Sequence, residues 1–196
     1  MEYKLKDEEY YFIHIPKNAG TSFSSQLCNT TSLHYRITDL NKNIWHKTLA
    51  ILRNPYERLI SFYNYAKLKK SYWHSNDNST EYPLHSCYNY CSNNSFQRFI
   101  KDLCTSDLFK NVIHLYPQIY WIQTPSGEII SNILRFECID KDISKLLNKN
   151  ITLKKINSSY TKTYNNYYNE VLKRLVYDKY KEDFDLCNTY NVSTEI

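Results

Sequence analysis

The sequence predicts an α/β fold with a central parallel sheet flanked by helices, and three observations support this prediction. A chain of 196 residues has the length of one such domain, so we expect a single domain over 1–196. Two short apolar runs, 10–15 and 48–52, have the composition of buried strands. A segment with helical spacing follows the first run, which predicts a right-handed strand–helix–strand unit with parallel strands.

The first predicted element is a strand over 10–15, because these residues are aromatic or β-branched. Pro16 ends the strand, since it has no backbone N–H for a ladder. Gly20 is one of only two glycines in the chain, which indicates a positive φ or a close ligand approach at this position. Thr21 and Ser22 are then expected to start a helix.

The loop between this strand and helix is suited to binding a phosphate group. A helix N-terminus offers unpaired N–H groups and the positive end of the helix dipole. Lys17 adds a full charge, and the two hydroxyl groups that follow Gly20 add donors. The loop is not of the Walker A type, because its lysine precedes the glycine. A plain strand–turn–helix corner with a solvated lysine is the alternative.

Three short elements are expected next. Residues 33–37 predict a short strand that carries His34, and 39–42 predict a turn or short helix. The run Thr-Leu-Ala-Ile-Leu at 48–52 is continuously apolar, which is typical of a strand buried on both faces. Ligands of such sheets bind beyond the carboxyl ends of the strands. The 16–22 loop lies at that edge.

A second informative stretch begins where the buried strand ends. Arg53 stands at the strand terminus, Asn54 can cap the next helix, and Pro55 suits its first position. A guanidinium at this place, together with the Ser61 hydroxyl, can bind one phosphate group. A local ion pair of the arginine is the alternative. The apolar stripe of the helix comprises Tyr56, Leu59, Ile60 and Tyr63.

The remaining chain alternates polar and apolar segments. Residues 71–95 are polar and predict a long loop, which is either an acceptor-binding flap or a disordered insertion. Apolar spacing predicts a helix over 96–103, and composition predicts a strand over 129–136. We also expect a helix over 140–147, after an acidic turn, and one final helix over 165–185.

Composition excludes several classes of protein. The formal net charge of +5 favours anionic ligands but falls short of the basic footprint of a nucleic-acid binder. The sequence has no run of eighteen apolar residues, so we expect no membrane span. The N-terminus is too charged for a signal peptide, and we expect a soluble chain.

The six cysteines do not have zinc-finger spacing. His85, Cys87 and Cys91 lie close together in the sequence, with His74 upstream. This group predicts a metal site, a Cys87–Cys91 disulfide, or a polar loop with free thiols. The spacing favours the free thiols, because paired C-x-x-C units are absent.

Two stretches together resemble one family. Lys17-Asn-Ala-Gly-Thr-Ser22 and Arg53-Asn-Pro-Tyr-Glu-Arg-Leu-Ile-Ser61, each after a strand, resemble the 5′-phosphosulfate loop and the 3′-phosphate site of the sulfotransferase superfamily. The residues of these two motifs are most similar to those of the carbohydrate sulfotransferases, including the heparan sulfate 2-O type. Weaker matches, among them Pro117-Gln118, extend the resemblance over about 12–190.

The resemblance implies a P-loop-like sulfotransferase fold, with 3′-phosphoadenosine 5′-phosphosulfate (PAPS) as donor and a saccharide hydroxyl group as acceptor. On this account no metal is needed, the modest net charge predicts no nucleic-acid partner, and the resemblance suggests a location in the Golgi lumen, which the sequence itself leaves unknown. The resemblance assigns the donor site to Lys17, Asn18, Ala19, Gly20, Thr21, Ser22, Arg53, Ser61 and, more weakly, Ser159.

The resemblance also implies the catalytic groups. Lys17 would stabilise the charge on the leaving group, and His34 would act as the base, since carbohydrate enzymes carry a histidine near this place. His46 and Glu9 are alternative bases. His14, inside the first strand, is expected to be packed in the core.

Two other functions compete with sulfuryl transfer. A P-loop-type nucleotide kinase would need Mg²⁺ ligands after a strand and a Walker lysine, and neither is evident in the sequence. A catalytically inactive binding module would keep both phosphate motifs and lack the base.

Overall fold

The structure, a computed structural model, describes residues 4–28, 34–68, 83–130, 132–154 and 167–196. Contacts divide the chain into two compact units. The first unit combines 1–54, 117–158 and 182–194. The second unit combines 55–116, 159–181 and 195–196. Both units draw on distant parts of the sequence.

The first unit contains a parallel sheet, as predicted. Its strands are β1 (Tyr11–Ile13), β2 (Thr48–Leu52) and β3 (Asn132–Arg135), and β2 lies in the centre. All residues of β2 are buried, which agrees with its continuous apolar run. The α/β class and the parallel sheet are confirmed.

Some helices pack against this sheet in the first unit, and the others form the second unit. Within the described residues the α-helices are, in chain order, α1 (Gly20–Leu27), α2 (Pro55–Ala66), α3 (Pro83–Asn93), α4 (Phe96–Thr105), α5 (Ile119–Ile122), α6 (Ile139–Leu147), α7 (Glu170–Lys179) and α8 (Lys181–Thr189). None of them is long and apolar enough to cross a membrane. The predicted helices over 96–103 and 140–147 are confirmed as α4 and α6.

Alternate residues of β2 pack on opposite faces of the sheet. On one face, Ala50 and Leu52 belong to an apolar cluster with residues of α5 and α8. On the other face, Leu49 and Ile51 belong to a cluster with residues of α1 and α6. The period of two along the strand therefore fixes the helices on both sides of the sheet.

Two local predictions in the first unit are wrong. Residues 34–36 are not a strand, and a 3-10 turn follows at Ile37–Asp39, because the Asp39 carboxylate accepts the Arg36 N–H at 2.8 Å. Helix α1 begins at Gly20 rather than at the hydroxyl residues after it. Its N-cap is Ala19 in the left-handed region (φ 61°), without a side-chain cap.

The second unit corrects the prediction of a loop over 71–95. Residues 83–93 form α3, whereas 71–82 lie outside the described residues. Cys87 and Cys91 are buried one helical turn apart, so their thiols form an apolar stripe on α3. The polar composition of 71–95 did not indicate this stripe. All six cysteines are free, and the disulfide alternative is wrong.

The predicted final helix over 165–185 is interrupted, and its first two residues lie outside the described part. The chain leaves helical geometry at Tyr180 (φ −113°, ψ 27°), between α7 and α8. The buried Tyr180 hydroxyl donates to the Leu115 carbonyl at 2.6 Å, and this contact holds the break. Helix α2 begins at Pro55, as predicted, and its expected apolar stripe is buried.

Candidate functional site

Three side chains follow directly after the ends of the parallel strands in the first unit. His14 comes after β1, Arg53 after β2, and Phe136 after β3. Because the strands are parallel, these positions share one edge of the sheet, here named the carboxyl edge. The Arg53 guanidinium lies 4.1 Å from the centre of the Phe136 ring, an arrangement typical of a cation–π contact.

The loop after β1 has an unusual backbone. Lys17 (φ 69°) and Ala19 (φ 61°) are both left-handed, although neither is glycine. Gly20 does not have a positive φ, so that part of its expected role is wrong. A methyl group on Gly20 would lie 1.8 Å from His14 Cδ2, so the close approach is made by a side chain of this chain.

The start of α1 has the features of an anion site. Ala19 is left-handed and Gly20 is helical, and such an alternation directs successive N–H groups into one concavity. The first N–H groups of a helix also lack partners within the helix. Thr21 is exposed and Ser22 is partly exposed, so both residues are accessible in the first turn of α1.

Lys17 carries the charge of the loop. Its backbone carbonyl accepts a hydrogen bond from Arg53 Nη1 at 3.1 Å, which joins the two phosphate motifs. Burial, and to a lesser extent the nearby Arg53 charge, together lower the pKa of Lys17 to about 7. The charged form of this lysine is therefore less favoured than in an exposed lysine, and a bound anion would favour it again.

Gln118 ties the same two motifs together a second time. Its side chain is fully buried, and Oε1 accepts from Asn18 Nδ2 at 2.6 Å and from the Arg53 N–H at 3.0 Å. Its Nε2 donates to the Arg53 carbonyl at 2.8 Å. Asn18 Nδ2 also donates to the Ile51 carbonyl at 2.6 Å. A single buried amide thus links the loop to the end of β2.

Asp183 in α8 fixes Gln118 in turn. The buried carboxylate accepts the N–H of Gln118 at 2.8 Å and that of Ile119 at 3.0 Å, and so caps the start of α5. In the sequence, Gln118 belongs only to a weak family match, and Asp183 belongs to no motif. Gln118 lies within an apolar stretch, but Asp183 lies among charged residues, and 65 residues separate the pair.

His34 lies beside the loop at the carboxyl edge. Its Nδ1 is 2.8 Å from the His14 carbonyl, and a carbonyl only accepts, so Nδ1 carries the proton. In the neutral imidazole the lone pair is then on Nε2, the nitrogen that can accept a proton. The rings of His34 and His14 are 4.3 Å apart, and His14 is buried, as predicted.

The two alternative bases lie at the opposite, amino edge of the sheet. Glu9 precedes β1, and His46 lies in the 3-10 turn that precedes β2. Glu9 forms an ion pair with Lys47, and the hydrogen bond from Lys47 lowers the pKa of the Glu9 carboxyl. A lowered pKa makes this carboxylate a weaker base. The strands therefore separate both groups from the loop.

The donor-site roles of Ser61 and Ser159 stay predictions. Ser61 lies in α2, in the second unit, where its side chain is half-buried. Ser159 lies outside the described residues, as do His74 and the side chain of His85. Within the described ranges, no three histidine, cysteine or acidic side chains are grouped to hold a metal ion.

The chain matches one family as a whole. The family model described as "Sulfotransferase family" matches residues 5–191, a range that contains both phosphate motifs and the residues that link them. No curated protein and no solved structure shows a significant match.

Proposed function

Because the chain belongs to the sulfotransferase family, we propose that it transfers the sulfuryl group of PAPS to a hydroxyl group of a saccharide. The observation that carries this proposal is the hydrogen bond that joins Arg53 to Lys17 in the loop before α1. A family of sulfuryl transferases requires an anion site for the donor. The Golgi location stays a prediction from the resemblance.

The residues present fit a donor with two phosphate positions. Lys17, the N–H groups at the start of α1, and the hydroxyls of Thr21 and Ser22 would hold the 5′ group. Arg53, supported by the Phe136 ring, would bind the 3′-phosphate. Asn18 acts indirectly, because its side chain faces the Gln118 amide and the Ile51 carbonyl.

When bound, PAPS supplies an activated sulfuryl group, whose S–O bond to phosphate breaks as the bond to the acceptor oxygen forms. Lys17 stabilises the negative charge that develops on the departing phosphate oxygen. Because the pKa of Lys17 is about 7, a large fraction of this side chain is uncharged near pH 7 in the free protein, and a bound anion favours its charged form.

His34 is the proposed base. Its Nε2 accepts the proton of the acceptor hydroxyl group, while Nδ1–H remains bonded to the His14 carbonyl. The positive charge that forms on the imidazole is stabilised by that carbonyl. His34 is favoured over His46 and Glu9 by its place beside the loop.

Donor binding is the first test. Titration calorimetry without Mg²⁺ should show binding of adenosine 3′,5′-bisphosphate, the product of the donor, while ATP with Mg²⁺ should bind much more weakly. No binding at millimolar bisphosphate would remove the proposal. Tight binding of Mg-ATP alone would favour the nucleotide kinase.

Arg53→Ala separates the two phosphate positions. The variant should lose about 3 kcal/mol of binding free energy for the bisphosphate, and much less for 5′-AMP, because a buried charged pair loses one member. Equal losses for the two ligands would place the 3′-phosphate elsewhere. Transfer of labelled sulfate from PAPS to a saccharide panel then distinguishes the enzyme from an inactive binding module.

A further inference from the structure

We propose that His14 is a positioning residue, which sets the base His34 against the sulfuryl-binding loop. The proposal rests on the proposed function and deepens it. His14 touches both partners: its ring lies against Gly20 at the start of α1, and its carbonyl and ring contact His34.

The first contact explains the glycine. A Cβ atom on Gly20 would lie 1.8 Å from His14 Cδ2 and 1.9 Å from Nε2, far inside van der Waals contact. The His14 ring therefore occupies the space that a side chain at Gly20 would need. Since Gly20 does not have a positive φ, its backbone would accept alanine, and the ring is the obstacle.

The second contact orients the base. The His14 carbonyl accepts the proton of His34 Nδ1, and the two rings pack at 4.3 Å with an angle of 50°. The hydrogen bond fixes the tautomer, and the ring contact limits rotation of the imidazole about its side-chain bonds. The Trp121 ring, 5.8 Å from His34, closes another side.

These contacts make His14 act through His34 rather than on the substrate. His14 is only 5% exposed, and its ring is enclosed by Phe12, Gly20 and His34. A shift of the ring moves the base relative to the start of α1. Misplacement by about 1 Å costs roughly a hundredfold in rate, so this spacing is under tight geometric control.

The test of the His34 contact is a double-mutant cycle with turnover as the readout. His14→Ala should lower kcat about tenfold to a hundredfold, while the KM for PAPS and the affinity for the bisphosphate change less than about threefold. In the His34→Ala background, His14→Ala should have no further effect on kcat. Losses that multiply in the double variant would overturn the proposal.

The Gly20 contact is tested by a second cycle. Gly20→Ala should strongly weaken bisphosphate binding and turnover in the wild-type background, because the new methyl group displaces the His14 ring. In the His14→Ala background the same change should cost little. An equal cost in both backgrounds would mean that Gly20 is needed for the ligand alone, and would contradict the assignment.

His114→Ala is a matched control, because His114 is another buried histidine and lies in the second unit. It should lower the melting temperature without changing kcat per folded molecule. If His14→Ala does not fold, His14→Asn takes its place in both cycles. A kcat loss that follows the melting temperature alike in His14 and His114 variants would reduce His14 to a structural role.

A readout that needs no turnover separates this inference from the proposed function. Nitrogen-15 NMR should show His34 as the single Nδ1–H tautomer in the wild-type protein and also in His14→Ala, because the backbone carbonyl at position 14 remains. The ring carbon and proton shifts of His34 should change in His14→Ala, because the ring contact is lost. If the protein binds no bisphosphate but these shifts change as expected, the proposed function fails and the positioning contact survives. A mixed tautomer in the wild-type protein, or unchanged His34 ring shifts in His14→Ala, overturns the positioning role itself.

Discussion

The two edges of the sheet carry the same kinds of side chain in opposite surroundings. At the carboxyl edge, burial lowers the pKa of Lys17 to about 7. At the amino edge, a hydrogen bond to Glu9 raises the pKa of Lys47, and the Glu9 side chain is 78% exposed. The charged form is disfavoured in one lysine and favoured in the other.

This difference follows from how each edge is built. At the carboxyl edge, buried hydrogen bonds through Asn18 and Gln118 fix the loop after β1 to the end of β2, so protein groups rather than water hold this edge in place. The ion pair at the amino edge is exposed, and such pairs contribute little to stability. Residue type alone therefore does not identify a site, and burial with fixed partners does.

The largest expected effect separates the histidines of the two edges. His34→Ala should lower kcat about a hundredfold to ten-thousandfold, because it removes the base. His46→Ala, at the amino edge, should leave kcat unchanged. Steady-state kinetics with PAPS and a proven acceptor measure both. If His46→Ala lost activity and His34→Ala kept it, the base would lie at the amino edge, and the assignment of the donor site would not change.

The lysines of the two edges give the next effect. Lys17→Ala should lower kcat roughly a hundredfold or more, since charge on the leaving group loses its stabilisation. Lys47→Ala is the matched control and should retain wild-type turnover. The loss in Lys17→Ala should shrink with a donor whose leaving group is better. A loss that does not depend on the leaving group would contradict the role of Lys17.

The buried network is tested by Gln118→Leu. The variant should lose about 1–3 kcal/mol of unfolding free energy, because Asn18 Nδ2 and the Arg53 backbone lose buried partners. Urea denaturation measures this loss. Gln123→Leu is the control, since its Nε2 makes one exposed contact of 3.3 Å with Gly127. Similar losses in both variants would mean that the network adds no particular stability.

Local sequence signals predicted the parts of this site that follow a strand directly. The apolar run of β2 located Arg53, and the strand before Pro16 located the loop. The Gln118–Asp183 contact could not be predicted, because it joins residues that are adjacent only in the folded chain. The same holds for α3, whose buried thiols replace the usual aliphatic stripe, and for the helix break at Tyr180.

The smallest expected effect is a pH dependence that only the carboxyl edge should show. The pKa of Lys17 is about 7 in the free protein, and a bound phosphate favours the charged form and raises this pKa. Affinity for the bisphosphate should therefore be greatest below pH 7. Between the free and the bound pKa it should fall by at most about tenfold per pH unit, because one proton must be taken up.

Calorimetry in buffers of different ionisation enthalpy should show this proton uptake between pH 7 and 9, where the phosphate groups of the ligand are already ionised. Lys17→Arg should abolish the uptake, since a guanidinium stays protonated throughout this range. Lys47→Arg should leave it unchanged, because the pKa of Lys47 is raised and not lowered. If the uptake persists in Lys17→Arg, another group titrates on binding, and the contrast between the two lysines does not govern the donor site.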